Sequence, residues 1–408
     1  MTVEFPNLRH LRAFKEVAYA RGVSAAAHKV HLSQPAVTQA ISGLEKRLGL
    51  ALLERRAEGM FTTLAGDVFL MRITRMFEHL AQGASAAARL ARRDGKSQTD
   101  FHMRTTAAQL RALIAIRDAG NFSLAARSIG ISQPSIHRAG RDLEKLAGFT
   151  LFAPSRRGIE LTPAAESFAR AVKLAQAELL QGFSELSELA GEDSTRIAIG
   201  SMPLSRTWIL PEAMGQLLAE SSGVQLRTVD SPYHELLRGL RYGDLDLLVG
   251  ALRDPAPTED VRQEALFDDQ LAVVAGPNHP LAKARNISLA TALAYPWIAP
   301  PKDTPGGSYL FGALGIEEME ETPVRVVTSS MVLVRGLLTR GAFLTILSPH
   351  QAAVEIEQGL MVRLDVDLPG SHRAIGITTR EGWVPTPTQA RFLDLLRGAA
   401  AAHYSQNQ

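Results

Sequence analysis

Ser33-Gln34-Pro35-Ala36-Val37 and, about two helical turns further on, Leu44-Glu45-Lys46-Arg47-Leu48-Gly49 are the stretch on which the fold depends. Ser33 is a natural N-cap, because its hydroxyl can accept from an early helical amide that lacks an intrahelical partner. Pro35 is tolerated in the first turn for the same reason, since its missing N–H would have been such an orphan. Val37, Ile41, Leu44 and Leu48 recur at helical spacing and predict a buried stripe. Gln34, Ala36, Thr38, Gln39 and Ser42 are left on exposed faces. Upstream, Leu8, Leu11, Phe14, Val17 and Ala18 predict a helix ended by Gly22. Ser24 is the expected N-cap of a short Ala-rich helix through Val30, followed by a turn at His31-Leu32. Downstream, Leu52–Thr63 predicts a two-stranded wing carrying Arg55 and Arg56, and Thr63 caps a long helix running to about Arg93.

The same pattern recurs 99 residues later, where Ser132-Gln133-Pro134 stands for Ser33-Gln34-Pro35. Without gaps, that offset pairs Leu11-Arg12-Ala13 with Leu110-Arg111-Ala112, Ala26-Ala27 with Ala125-Ala126, and Leu44-Glu45-Lys46 with Leu143-Glu144-Lys145. It also pairs Ser24 with Ser123, Gly49 with Gly148, Leu52 with Leu151, Thr63 with Thr162 and Phe69 with Phe168. One register held over that length is a tandem duplication. Each unit reads as helix–helix–turn–helix followed by a short hairpin and a long helix. Arg92–Thr99 lacks apolar periodicity and reads as the linker between copies.

Small polar residues around a helix N-terminus suit a helix lying in a DNA major groove. Gln can bond adenine twice, Ser and Thr can bond several base edges, and Ala leaves room for a thymine methyl. Arginines in a neighbouring wing suit phosphates or a narrow minor groove. Ser-Gln-Pro in isolation is an ordinary helix cap; its setting is what points to DNA. Each unit resembles the winged helix-turn-helix of LysR-type transcriptional regulators, on Ala26-Ala27, Ser33–Val37, Leu44–Gly49 and Thr63-Leu64-Ala65-Gly66 in the first copy. Members of that family typically carry one such head, so the second copy is extra chain.

The resemblance implies double-stranded DNA as a partner. In the first copy the DNA-binding residues would be Ser33, Gln34, Pro35, Ala36, Thr38, Gln39, Arg55 and Arg56. In the second they would be Ser132, Gln133, Ser135, His137, Arg138, Arg141, Arg156 and Arg157. Family members often have an arginine where Arg138 stands, so Gln39 departs from that form. Gly140 replaces Ile41, and a mid-helix Gly costs roughly 0.5–1 kcal/mol relative to Ala. Phe152-Ala153-Pro154-Ser155 replaces Leu53-Glu54-Arg55-Arg56. The expectation is that both heads touch DNA and read different sequences. The alternative is that one head has become a dimerisation or spacer module. In this family the long helix after the wing pairs with its counterpart across a dimer interface, which implies self-association as a dimer or tetramer.

From Thr195 onward short apolar strands alternate with helices, which argues for α/β sheets. Arg196–Gly200, Val224–Val229, Leu245–Ala251, Leu271–Ala275, Val324–Val327, Leu344–Leu347 and Ala374–Thr378 read as strands; Pro211–Ala219 and Tyr233–Tyr242 read as helices. Gly243-Asp244-Leu245-Asp246-Leu247, Gly276-Pro277-Asn278-His279-Pro280-Leu281 and Thr345-Ile346-Leu347 resemble the two-lobed effector-binding domain of the same regulators, itself similar to periplasmic solute-binding proteins. The fold class expected is therefore two winged helix-turn-helix domains, rich in α-helix, followed by a two-lobed α/β domain of periplasmic-binding-protein type. The expected boundaries are 5–66 for the first head, 67–94 for its long helix and 95–103 for the linker. The second head spans 104–165, its linker or dimerisation helix 166–191 and the effector domain 195–408. Lobe one should take 195–271 and 362–400, and lobe two 272–361.

Ligands in open α/β lobes sit beyond the carboxyl ends of strands, where helix N-termini offer free amides. Carried over by position, that rule nominates Ser201, Ser205, Tyr233, Pro300, Thr304, Thr328, Ser329 and Ser330 for a small-molecule effector, a carboxylate or a sugar. Each of them could equally be a helix cap or a turn residue. Arg206 is a candidate counter-charge for a carboxylate.

Composition narrows the alternatives. The 408 residues include no cysteine, which removes disulfide scaffolds, thiolate zinc sites, Fe–S clusters and cysteine nucleophiles. No secretory signal is expected, and no run of 18 apolar residues occurs; Gln109 and Arg111 break even the tract from Ala107 to Ile116. A cytoplasmic, soluble protein without a membrane span is the expectation. The net charge of +2 conceals 26 basic against 19 acidic residues up to position 194, and 18 against 23 thereafter, as suits a polyanion partner for the first half. There is no Gly-rich phosphate loop, HExxH, nucleophile elbow or metal-spaced His cluster, so no catalytic residue, metal or cofactor is expected. His279 and His350 lie beside prolines in turns, where capping is the simpler role. The rival classes are an enzyme and a free-standing solute-binding protein built on the α/β domain.

Overall fold

The first helix, α1 (Leu8–Ala20), buries Leu8, Leu11, Phe14 and Val17, and Asn7 caps it by accepting from the Arg9 amide at 3.0 Å. A computed structural model describes it together with the rest of residues 5–91, 99–156, 158–319 and 321–406. After α2 (Val23–Val30), α3 (Gln34–Leu48) begins where expected: Ser33 accepts from the Ala36 amide, and Val37, Ile41 and Leu44 face inward. Ser24 does not cap α2. Gly22 holds that position without a side-chain bond, and the Ser24 hydroxyl instead accepts from Gln34 Nε2 at 3.1 Å.

A hairpin, β1 (Leu53–Arg56) and β2 (Gly59–Thr62), follows, and then α4 (Leu64–Ala91). Its first strand is tied back to α3, because Glu45 Oε1 accepts from the amides of Leu52 and Leu53. Its second strand is tied to α1 through the Met60 amide and the Arg21 carbonyl, at 3.0 Å. Gly59 sits at φ +133°, and a Cβ there would run into that same carbonyl. Residues 92–98, which hold the expected end of the long helix and the start of the 95–103 linker, lie outside the described residues.

The order then repeats: α5 (Ala107–Ala119), α6 (Phe122–Ser128), α7 (Gln133–Ala147), the hairpin β3 (Phe152–Ser155) and β4 (Gly158–Leu161), and α8 (Pro163–Leu189). The ties repeat with it. Glu144 accepts from the Leu151 and Phe152 amides, and the Ile159 amide donates to the Gly120 carbonyl at 2.9 Å. Gly158 takes the role of Gly59, with φ +131°. A Thr106–Gln109 capping box starts α5, while Asn121, Ser132 and Thr162 cap the helices that follow.

α4 and α8 run antiparallel against each other within the chain. Gly83 of α4 faces Ala171 of α8, Gly182 of α8 faces Arg72 of α4, and Phe69 stacks on Phe183 with ring centroids 6.0 Å apart. Both copies thereby share one continuous apolar core.

A second compact unit begins at Arg196. Its elements in chain order are β5 (Arg196–Ser201), α9 (Ile209–Glu220), β6 (Gln225–Val229), α10 (Tyr233–Arg241), β7 (Leu247–Ala251), β8 (Val261–Gln270) and β9 (Ala272–Ala275). There follow α11 (Leu289–Leu293), β10 (Trp297–Ala299), α12 (Pro305–Gly307), β11 (Val324–Val327), α13 (Met331–Leu338) and β12 (Leu344–Leu347). The unit ends with α14 (Ala353–Glu357), β13 (Val362–Arg363), β14 (His372–Arg380) and α15 (Pro387–Gln406).

Two mixed five-stranded sheets result, ordered β6-β5-β7-β14-β8 and β11-β10-β12-β9-β13. Each packs its own apolar layers, so the unit is two-lobed. The chain returns to the first sheet later than position 362, because Val362 and Arg363 pair with Ala275 and Val274 in the second. Sequence periodicity missed β8, whose residues are largely polar, and the three-residue β10. Among the described residues no helix is long and apolar enough to cross a membrane, and no group of three acidic or His side chains could hold a metal.

Candidate DNA-reading faces and effector cleft

On α3 the exposed face consists of Gln34, Pro35, Thr38 and Gln39, with Ser33 just before it and Ala36 half-buried. Two of these are partly committed locally: Gln34 donates to Ser24, and Thr38 Oγ1 donates to the Gln34 carbonyl at 3.1 Å. The wing places Arg55 and Arg56 at the surface. Arg56 pairs with Glu54 and lies 5.0 Å from the centre of the Phe61 ring, which holds its guanidinium beside the strand.

On α7 the corresponding face consists of Gln133, Ser135, His137, Arg138 and Arg141, all exposed, with Ser132 as cap. The Ser132 and Ser135 hydroxyls bond each other at 2.8 Å, and Arg141 pairs with Glu144 at 2.6 Å. His137 rests against Phe122, ring centroids 5.0 Å apart. Arg156 is exposed in the second hairpin; Arg157 lies outside the described residues. The two faces thus share a frame and differ in charge, with two arginines on the second and none on the first.

In the second unit a cavity of about 410 Å³ opens between the two sheets. Tyr233, Pro300, Thr304, Thr328 and Ser329 line it. Ser201, Ser205 and Ser330 do not. Ser201 is buried at the end of β5 and accepts from Arg206 Nε at 3.0 Å. Ser205 is fully buried and donates to the Met202 carbonyl, and Ser330 caps α13. Thr304 reaches the cavity wall, yet its hydroxyl caps α12, accepting from Gly307 and donating to the Pro301 carbonyl.

The charged groups at the cavity were mostly missed. Arg206 lines it, but its guanidinium is held by Asp230, with Nη1 to Oδ2 at 2.8 Å. Arg373, the second residue of β14, is fixed by the fully buried Asp269, which also accepts from Ser348 at 2.6 Å. Burial lowers the Arg373 pKa, and Asp269 opposes that pull. Arg253 stands two residues beyond β7, where the strand-end rule could have found it. It has no acidic partner among the described residues, and its guanidinium lies 4.2 Å from the centre of the Tyr233 ring. The Tyr233 hydroxyl is buried without a hydrogen-bond partner, and burial raises its pKa against the opposing charge of Arg253.

Comparison with known proteins places these features. The family model described as LysR substrate binding domain matches residues 190–401. The model for bacterial regulatory helix-turn-helix proteins of the lysR family matches twice, at 8–67 and 107–166. The HTH-type transcriptional regulator GalR of Pseudomonas putida is 33% identical over 399 residues, covering 97% of this chain and 98% of that protein. The HTH-type transcriptional regulator PcaQ of Agrobacterium fabrum is 27% identical over 276 residues, covering 68% of this chain and 89% of its own. Among solved structures, a full-length OxyR variant from Pseudomonas aeruginosa shares the fold at a TM-score of 0.51 and 21% identity, over 72% of this chain and 93% of that one. Two helix-turn-helix matches and a substrate-binding match together span most of the sequence, and the chain belongs to the LysR family of transcriptional regulators.

Proposed function

We infer that this protein is a DNA-binding regulator in which both N-terminal copies are winged helix-turn-helix heads, each laying its third helix in a major groove. The repeated hairpin ties through Glu45 and Glu144, and through Gly59 and Gly158, support the second head as the equal of the first. The observation that carries the DNA reading is the pair of capped, polar, exposed faces on α3 and α7 over buried apolar stripes. Neither copy is a mere spacer. The protein works in the cytoplasm, as a dimer or tetramer and not as an enzyme, with the two-lobed domain acting as a sensor built like a solute-binding protein.

The effector is a small carboxylate. Arg253 supplies a cation without an acidic partner, Tyr233 a buried hydroxyl without one, and Arg373 a guanidinium pre-oriented by Asp269. A molecule bridging the lobes would favour one lobe arrangement, and its differential affinity would be passed to the DNA heads. A gel shift on the protein's own promoter region, over a range of salt, tests the first half: sequence-selective, salt-weakened retardation is expected, and none at any salt would contradict it. Thermal-shift screening of small carboxylates and their amides tests the second. Carboxylates should raise the melting temperature and Arg253→Ala should abolish the rise; an equal response to the amides would overturn the carboxylate assignment.

A further inference from the structure

The two long helices meet in a way that the 99-residue repeat makes intelligible. Arg72 of α4 corresponds by offset to Ala171 of α8, and Gly83 to Gly182. The contact between Gly83 and Ala171 is therefore the counterpart of the contact between Gly182 and Arg72. Phe69 and Phe168 correspond as well, and each stands 3.5 Å from where a Cβ would be on the opposing glycine. A local two-fold carries one copy onto the other, inside one chain.

The side chains break that symmetry in one place. Arg72 is fully buried and bonds Glu185 through Nε at 2.7 Å and Nη2 at 2.5 Å; its Nη1 donates to Glu178 at 3.1 Å and to Gln181 at 3.2 Å. Arg75 adds a second cation on Glu178, at 2.8 Å. At the symmetry-related place stand Ala171, His79, Gln82 and Ala86. If α4 paired with a second α4, each Arg72 would face His79, Gln82 and Ala86, none of them a carboxylate. If α8 paired with a second α8, Glu178 and Glu185 of each would be buried without an arginine at either Ala171 or Leu174. An uncompensated buried charge is strongly destabilising, so the charges favour α4 on α8 and disfavour either like pair.

We propose that this lock makes one chain an internal pseudo-dimer, which presents its two unlike recognition helices together to a single DNA duplex carrying two different half-sites. The proposal rests on the reading that both heads bind DNA, and goes beyond it in assigning both half-sites to one chain. A protein whose paired heads are identical matches an inverted repeat; paired heads with Gln39 in one and Arg138 in the other match a non-palindromic site.

The absence of native cysteine makes the pairing testable in the full-length chain. Arg75→Cys with Glu178→Cys removes both ends of one ion pair, half-buried at Arg75 and buried at Glu178, while Arg72 keeps Glu185 and Gln181. Treatment with a short bis-maleimide should link the pair within one chain, giving a product of single-chain mass, and either cysteine alone should give no chain-to-chain product. The linked protein should retard promoter DNA within about threefold of the unlinked protein. A product of double-chain mass, no product at all, or loss of DNA binding on linking would each overturn the proposal. Should the pair fail to fold, judged by its thermal transition, His79→Cys with Glu178→Cys replaces it, its native side chains lying 3.6 Å apart. If the unlinked, untreated chain retards no DNA, the functional reading fails and the half-site assignment with it, whereas the mass of the product still reports the helix pairing alone.

Discussion

In the first copy Ile41 fills the position that Gly140 holds in the second, and the neighbours compensate. By the same offset, Val23 and Leu53 become Phe122 and Phe152. The two phenylalanines meet edge to face at 5.8 Å, and a Cβ on Gly140 would stand 3.1 Å from Phe152 and 3.4 Å from Ile116. The isolated cost of a mid-helix glycine is thus offset by two larger rings packed over it. Volume has moved between positions while the frame of three helices and a hairpin is unchanged. The outer faces have diverged: half-buried Ala36 with exposed Thr38, Gln39 and Ser42 on one, Ser135, His137, Arg138 and Arg141 on the other. The copies are equal as scaffolds and unequal in the residues they present at the surface of α3 and α7.

The largest expected effect comes where the pseudo-symmetry is broken. Arg72→Ala should cost about 3–5 kcal/mol, since it leaves Glu178 and Glu185 buried with one cation too few. Urea denaturation measures this; a loss below about 1 kcal/mol, on the scale of surface ion pairs, would show that the lock is not holding the helices. Next, Gly140→Ile should destabilise by about 1–3 kcal/mol through overpacking, although it restores the residue of the first copy. Adding Phe152→Leu should recover part of that loss. A neutral Gly140→Ile would mean that the two cores are interchangeable and that the rings of Phe122 and Phe152 do not fill the space Ile41 takes in the first copy.

A smaller, pH-dependent effect sharpens the same contrast. Burial pushes the Glu178 carboxyl up, while His79, Arg75 and Arg72 overcome it and leave the pKa below the ordinary 4.5. A carboxyl depressed in the folded state contributes stability that is fully present above 4.5 and is lost as pH falls through its lower folded value. The melting temperature should therefore drop on the acid side of 4.5, less steeply in Glu178→Gln than in the parent. Identical acid slopes would remove Glu178 from the lock.

Much of the head was legible in the sequence because its signals are local. Caps such as Ser33 and Ser132 and the three- and four-residue spacing of apolar positions place the helices, and the offset of 99 places the second copy. The pairing of α4 with α8 was not legible, because it depends on contacts more than a hundred residues apart in sequence, such as that between Arg72 and Glu185. An arginine in the middle of an Ala- and Leu-rich stripe was the one sign available. In the sensor domain, strand ends located Tyr233, Thr328 and Ser329 at the cavity. The same rule misplaced Ser201, whose side chain is turned inward, and could not reach Arg373, which enters from the start of an antiparallel strand.

On the function proposed, two unlike heads of one chain each touch DNA. Hydroxyl-radical footprinting of the parent, Gln34→Ala and Arg138→Ala on one promoter tests it most directly. A non-palindromic protected region is expected, in which Gln34→Ala weakens one half and Arg138→Ala the other. A footprint that either substitution leaves unchanged, or that both weaken in the same half, would contradict it.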